Sequence, residues 1–293
     1  MDLADGQAAE KMITMGNIKT ILLPWVILIA MMGSLQAQTI RLMTYNIRYD
    51  NPKDGANRWD QRKDKMAALL NYYEPAFLGI QEGLLHQLEF LDQSLPEYEF
   101  IGVGRDDGKQ QGEYCAIFFD TTLFRLIVDS TFWLSETPGI PSSGWDASLH
   151  RICTFGLFES LKTQQRIWVM NTHFDHRGRM ARENSARLLA ERVRQINQAP
   201  LVLMGDFNAT PDEVPIQKIK STLSDASAIS QKPLYGPPGT SDGFRDDAII
   251  RRIDYIFCNS VKVLSYAHID DRRDDGGHVS DHLPVLTEIK LTF

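Results

Sequence analysis

Cysteine is scarce. The 293 residues hold three, Cys115, Cys153 and Cys258, each inside an apolar, strand-like run (YCAIFF, ICTFGLF, IDYIFC). No pair of them has metal-ligand spacing, so there is no basis for a thiolate zinc site and buried free thiols are expected. Positive charge is also in deficit: 31 Lys and Arg face 38 Asp and Glu, a formal charge of −7. That removes the broad basic footprint that dominates non-specific nucleic-acid binding. No serine lies in a nucleophile-elbow motif, and the glycine-rich GVGRDDG (102–108) lacks the spacing and lysine of a phosphate-cradling loop. After residue 38 no linker, low-complexity stretch or charge block divides the chain.

What is present begins with ILLPWVILIAMM (21–32), preceded by Lys19 and followed by GSLQAQ. A basic flank, a short apolar run and a small-residue exit at Ala37 predict a secretory signal peptide over 1–37. The run falls short of the ~20 apolar residues a spanning helix needs, so no integral membrane domain is expected after cleavage. The mature domain, 38–293, is expected to be periplasmic, secreted or cell-surface. The opening MDLADGQAAE is acidic, which makes Met15 a better start than Met1.

Some eleven strand candidates follow: TIRLMTYNI, AFLGIQ, YEFIGVG, YCAIFF, FRLIVDSTFWL, RICTFGLF, RIWVMNTHF, LVLMGD, RIDYIFC, VKVLSYAHI and LPVLTEIKL. Three helix patterns lie between them. In NRWDQRKDKMAALLNYY, Trp59, Arg62, Met66, Leu69, Leu70 and Tyr73 share a face, with Asn57 as the expected cap. LLHQLEFLDQSL is the second. RMARENSARLLAERVRQIN is the third, its stripe running through Ala181, Ser185, Leu188, Leu189, Val193 and Ile196. So many strands predict an α/β fold of two stacked sheets with helices outside. TYNI…LGIQE is echoed by NTHF…LVLMGDFN, a weak sign of two similar halves. Residues 230–247, rich in Pro, Gly and Asp, predict a long loop of the kind that borders functional sites.

The chemistry lies at strand ends. LVLM has no polar alternation, as befits a strand covered on both faces, yet it ends on Asp206 and Asn208. TYNI ends on Asn46, LGIQE on Glu82 and VMNTHFDH on Asn171, His173, Asp175 and His176. Asp254 sits inside RRIDYIF, and Asp281 and His282 open the last strand. One such end is an ordinary turn or cap. Six, all acid, amide or imidazole, imply loops converging on one pocket. Carboxylate and carboxamide oxygens suit a hard cation such as Mg²⁺. Metal-assisted attack of water on a phosphate ester, with His and Asp managing protons, is then the chemistry left.

TYNIR, GIQE, GDFNATPDE, RIDYIF and SDHLPV, in this order and spanning nearly all of 38–293, resemble the endonuclease/exonuclease/phosphatase superfamily. The resemblance implies a DNase I-like four-layer α/β sandwich and a Mg²⁺-dependent phosphoesterase, with Mn²⁺ or Ca²⁺ as alternatives. It implies Glu82 as principal metal ligand, Asn46 beside it and Asp281 as a further ligand. Asp206 would orient or deprotonate the attacking water, and Asn208 would hold that water or a phosphate oxygen. His282 would face the phosphate with Asp254 bonded to it, and His173 would contact phosphate or assist the leaving group. Asp254 is satisfied equally by a structural pair with Arg252. Arg105 and Arg151 are candidates to grip phosphate bidentately, against the solvated state of most arginines. The expected partner is a phosphate ester, whether nucleotide or nucleic acid, inositol phosphate or phospholipid headgroup; no stable protein partner is implied. The alternative is a non-catalytic protein holding a phosphorylated ligand on the same fold.

Overall fold

A computed structural model describes residues 38–196, 199–245 and 247–291. The expected signal peptide lies outside the described residues. Twelve strands form two six-stranded sheets. The first contains β1 (Thr39–Asn46), β2 (Phe77–Gly83), β3 (Tyr98–Ile101), β4 (Tyr114–Asp120), β11 (Val261–His268) and β12 (Val285–Leu291), in the order β11-β12-β1-β2-β4-β3. The second contains β5 (Phe124–Trp133), β6 (Ile152–Ser160), β7 (Arg166–His173), β8 (Leu201–Asp206), β9 (Ser224–Asp225) and β10 (Asp254–Asn259), in the order β5-β6-β7-β8-β10-β9. The expected strands all form; the short β9 is the addition.

Side-chain alternation explains the four layers. Leu42, Phe77, Val169, Met204 and Ile256 face the core between the sheets. Their neighbours Met43 and Leu78 turn outward beneath α1 (Trp59–Tyr73) and α2 (Leu85–Ser94). Met170, Leu203 and Phe257 turn outward beneath α3 (Arg179–Ile196) and α4 (Val214–Lys220). Central strands are therefore apolar on both faces, which is why LVLM lacks alternation. The predicted face of α1 is buried, apart from the half-buried Tyr73. Its predicted cap is not used. Asn57 ends a 3-10 turn (Pro52–Asn57), and its Oδ1 accepts from Arg273 Nη2 at 3.0 Å, which takes the oxygen a cap would need.

The echo between halves is a topological repeat. β1 and β2 are parallel and joined through α1; β7 and β8 are parallel and joined through α3. Each pair has antiparallel neighbours, β12 and β4 in one sheet, β6 and β10 in the other. Asn171 stitches the sheets together, donating Nδ2 to Ile80 O and Ala116 O, both at 2.8 Å. Its Oδ1 accepts from Gln81 Nε2 at 2.6 Å. All three cysteines are free and buried, as expected.

Candidate active site

Parallel strand pairs deliver their carboxyl ends to one edge, and ligand sites in α/β sheets form there. Asn46 closes β1, His173 closes β7 and Asp206 closes β8; Glu82 lies one residue from the end of β2. A bulge between Gln81 and Gly83 turns Glu82 out of the ladder, with φ at 63°. The glycine of GDFN has a steric cause as well. At Gly205, φ 149°, an added Cβ would lie 2.0 Å from Thr172 O, so only glycine lets β8 run this close to β7.

Asp206 Oδ2 is the meeting point. Asn46 Nδ2 donates to it at 3.0 Å and to Glu82 Oε1 at 3.0 Å. His173 Nε2 lies 3.4 Å away and His282 Nε2 3.8 Å. Asp206 Oδ1 accepts from Asn208 N at 2.8 Å, and Asn208 Nδ2 contacts His173 Nε2 at 3.2 Å. His282 Nδ1 and Asp254 Oδ2 are 2.8 Å apart. The alternative partner for Asp254 is engaged elsewhere, because Arg252 binds Asp225 at 2.9 and 2.7 Å.

Electrostatics separate the two histidines. Burial opposes charge on His282, but Asp254 and Asp206 outweigh it and hold the imidazole well above its usual value. His173 is held well below, first by burial, then by the cations of Arg151 and Arg105. Burial and the neighbouring Asp254 push Asp206 up to about 7. Asp281 is raised by burial above all, with His282 opposing and Glu82 adding. Arg48 Nη1 stands 4.0 Å from Glu82 Oε2 and 3.8 Å from Asp281 Oδ2. The donors here are carboxylate oxygens, which suit a hard cation. Asp206, Asp254 and His282 are also mutually close enough to hold an ion, with ligand atoms within 4.8 Å. His282 Nδ1 and Asp254 Oδ2 are already bonded to each other, whereas the carboxylates of Glu82 and Asp281 line the cleft and could hold a cation.

A cleft of about 710 Å³ opens over these groups, and Glu82, Asp206, Asn208, Asp281, His173 and His282 all line it. The match to the endonuclease/exonuclease/phosphatase family model runs over residues 43–282. The chain belongs to the endonuclease/exonuclease/phosphatase family. An endonuclease/exonuclease/phosphatase family protein from Bacteroides thetaiotaomicron has a similar structure, with TM-score 0.84 and 36% identity, covering 88% of this chain and all (100%) of that one. A mannosyl-6-phosphatase from the same organism matches with TM-score 0.82 and 37% identity, over 85% of this chain and 99% of its own. An uncharacterized protein of Acanthamoeba polyphaga mimivirus is 27% identical over 248 residues, 78% of this chain and 91% of that protein. As an endonuclease/exonuclease/phosphatase family member, the chain is a hydrolase acting on phosphate esters, and the family is metal-dependent.

Several placements refine the expected roles. Asn46 Oδ1 accepts from Arg48 N at 3.0 Å, so its NH₂, not its oxygen, faces the carboxylates. The Nη1/Nη2 end of Arg105 is filled by Glu113, at 2.6 and 2.8 Å, while its Nε has no hydrogen-bond partner among the described residues. Arg151 reaches Asp175 Oδ2 at 3.5 Å and His176 Nδ1 at 3.0 Å, while its Nη1 has no partner among the described residues. Thr240, Arg48 and Glu113 were not singled out by the sequence. Thr240 Oγ1 donates to Asp254 Oδ2 at 2.6 Å and accepts from Asp254 N and Ile253 N at 3.1 Å each. Only the long loop around Thr240 hinted at it.

Proposed function

We propose that this protein is an exported, Mg²⁺-dependent phosphomonoesterase. The observation that carries the proposal is the pair of histidines, one charged and one neutral, beside one carboxylate oxygen, Asp206 Oδ2. Groups whose surroundings push their proton affinities apart mark acid and base roles. Asp206, with its value near neutrality, is matched to take a proton from an attacking water. Asn208 shares that edge and orients the water. Charged His282 presents its Nε2–H to a phosphate oxygen, while Asp254 fixes its Nδ1–H. Neutral His173 keeps the edge of the cleft free of a second imidazolium. The water oxygen bonds to phosphorus, its proton passes to Asp206, and the bond to the ester oxygen breaks. That oxygen takes its proton from solvent in the open cleft.

Glu82 and Asp281 would hold Mg²⁺, with Asn46 beside them. The bound cation supplies charge neutralisation on the phosphate oxygens. Support for a monoester comes from the cleft walls, where Arg151 and Arg177 offer cations suited to a dianion, and from likeness to the mannosyl-6-phosphatase. Among the described residues no helix is long and apolar enough to cross a membrane.

The test compares an aryl phosphomonoester with the matching aryl phosphodiester, using chain stripped of metal and then given Mg²⁺. Monoester cleavage at least tenfold faster, and only with Mg²⁺, is the expected outcome. Preference for the diester would contradict the proposal, and binding without turnover would favour the non-catalytic alternative. Export is checked by the mature N-terminus, expected at Gln38 in an extracytoplasmic fraction.

A further inference from the structure

The topological repeat has a consequence for substrate choice. The two sheets run in the same strand order with matching directions, so β1, β2, β4 and β12 correspond to β7, β8, β10 and β6. Asp254 begins β10, and His282 stands three residues before β12. At the corresponding places in the other half, Glu113 immediately precedes β4 and Arg151 immediately precedes β6. The repeat therefore sets an acid and a cation opposite the Asp254–His282 pair, and both line the same cleft.

The acid of that pair is anchored by a further arginine, Arg105, which holds it in a bidentate fork at 2.6 and 2.8 Å. Arg105 is 7% exposed, and Trp133 Nε1 donates to its carbonyl at 2.7 Å. Arg105 N donates to Glu113 O at 3.1 Å, so backbone and side chains both hold the two together. Of the two, the acid is the more open member, with side-chain exposure of 16% against 9%. A carboxylate facing the cleft is a poor neighbour for a phosphate dianion, which has no proton to give it. Burial pushes Glu113 up to about 7 against the pull of Arg105, and a carboxyl forked by arginine keeps further oxygen lone pairs free to accept hydrogen bonds. The ligand class that matches such free acceptors beside guanidinium donors is the neutral hydroxyl. An ammonium group is disfavoured by Arg105 and Arg151 close by, whose charges act on Glu113.

We propose that Glu113 and Arg105 form the leaving-group subsite of this phosphoesterase and read the hydroxyls of a polyol or sugar phosphate. The assignment rests on the phosphomonoesterase function proposed above. Glu113 is then a specificity-determining residue, contacting the substrate away from the reacting phosphorus. Sites built to bond a hydroxyl reject analogues that lack it, because buried polar groups are left unpaired.

The experiment uses the full chain with Mg²⁺ and two substrates of equal chain length, hexyl phosphate and sorbitol 6-phosphate, with an aryl phosphate as activity control. In the wild type, kcat/KM for sorbitol 6-phosphate is expected to exceed that for hexyl phosphate by about tenfold or more. In Glu113→Gln that ratio falls about tenfold, mainly through KM for the polyol ester. A partly unfolded preparation lowers both rates together and leaves the ratio intact. An unchanged ratio in Glu113→Gln, or a wild type that prefers hexyl phosphate, overturns the subsite. Should Glu113→Gln fail to fold, the wild-type preference decides alone. A wild type inactive on all three esters defeats the phosphomonoesterase function itself, whereas cleavage of the aryl ester without polyol preference defeats only this inference.

Discussion

Asp206 Oδ2 stands within 3.0 Å of Asn46 Nδ2, 3.4 Å of His173 Nε2 and 3.8 Å of His282 Nε2, and the predictions at this scale turn on it. Replacing His282 with Ala removes the charged donor and is expected to lower kcat about 10²–10⁴-fold. Asp254→Asn tests the cause of that charge. Asp254 is the main group raising His282, so His282 stays protonated through neutral pH, and activity falls as pH climbs through its folded value. Without Asp254 the opposing push of burial remains, and the alkaline limb of the kcat/KM profile moves to lower pH. An alkaline limb that stays in place would exclude this role. Thr240→Val acts through Asp254: it removes one hydrogen bond to Oδ2 and strands two backbone N–H groups. A stability loss of about 1–3 kcal/mol in a urea melt is expected.

Among the elements, the turn after β7 and the strand-to-strand stitch carry separate predictions. Asp175 accepts from Gly178 N at 2.7 Å, Arg177 N at 2.9 Å and Ser148 N at 3.1 Å. Burial works against its charge, but these bonds and Arg151 prevail and bring it down to about 2. A folded value below the unfolded one means its contribution is present above pH ~4 and lost as pH falls toward 2. Asp175→Asn should therefore cost about 2 kcal/mol at pH 7 and almost nothing at pH 2, measured by denaturant melts at both. Asn171→Leu strands Ile80 O and Ala116 O between the sheets, and about 2–4 kcal/mol of destabilisation is expected at any pH. Elements like these were partly legible. Core strands announce themselves because both faces are covered, and GDFN because Gly205 has no room for a side chain. The Asn57 cap was misplaced because Arg273, far along the chain, claims its oxygen. Glu113 and Thr240 were invisible for the same reason: their meaning lies in partners that only the fold supplies.

Over the whole molecule, an acidic chain sets cationic side chains on the walls of one cleft beside the carboxylates of Glu82, Asp206 and Asp281. The same sheet topology occurs twice, and the two halves meet where the chemistry is placed. The sequence showed this only as a faint echo, since topology repeats here with little residue identity between TYNI and NTHF. Its ordered strand-end motifs nevertheless pointed to the right family, because a water-activating carboxylate has to be mounted on something stiff. The most direct test is hydrolysis of a phosphomonoester by metal-stripped chain, with Mg²⁺ restored, in wild type and Asp206→Asn. Wild-type activity should appear only on adding Mg²⁺, and Asp206→Asn should lose about 10³-fold in kcat while still melting cooperatively. Activity without metal, or an Asp206→Asn variant as fast as the wild type, would contradict the account.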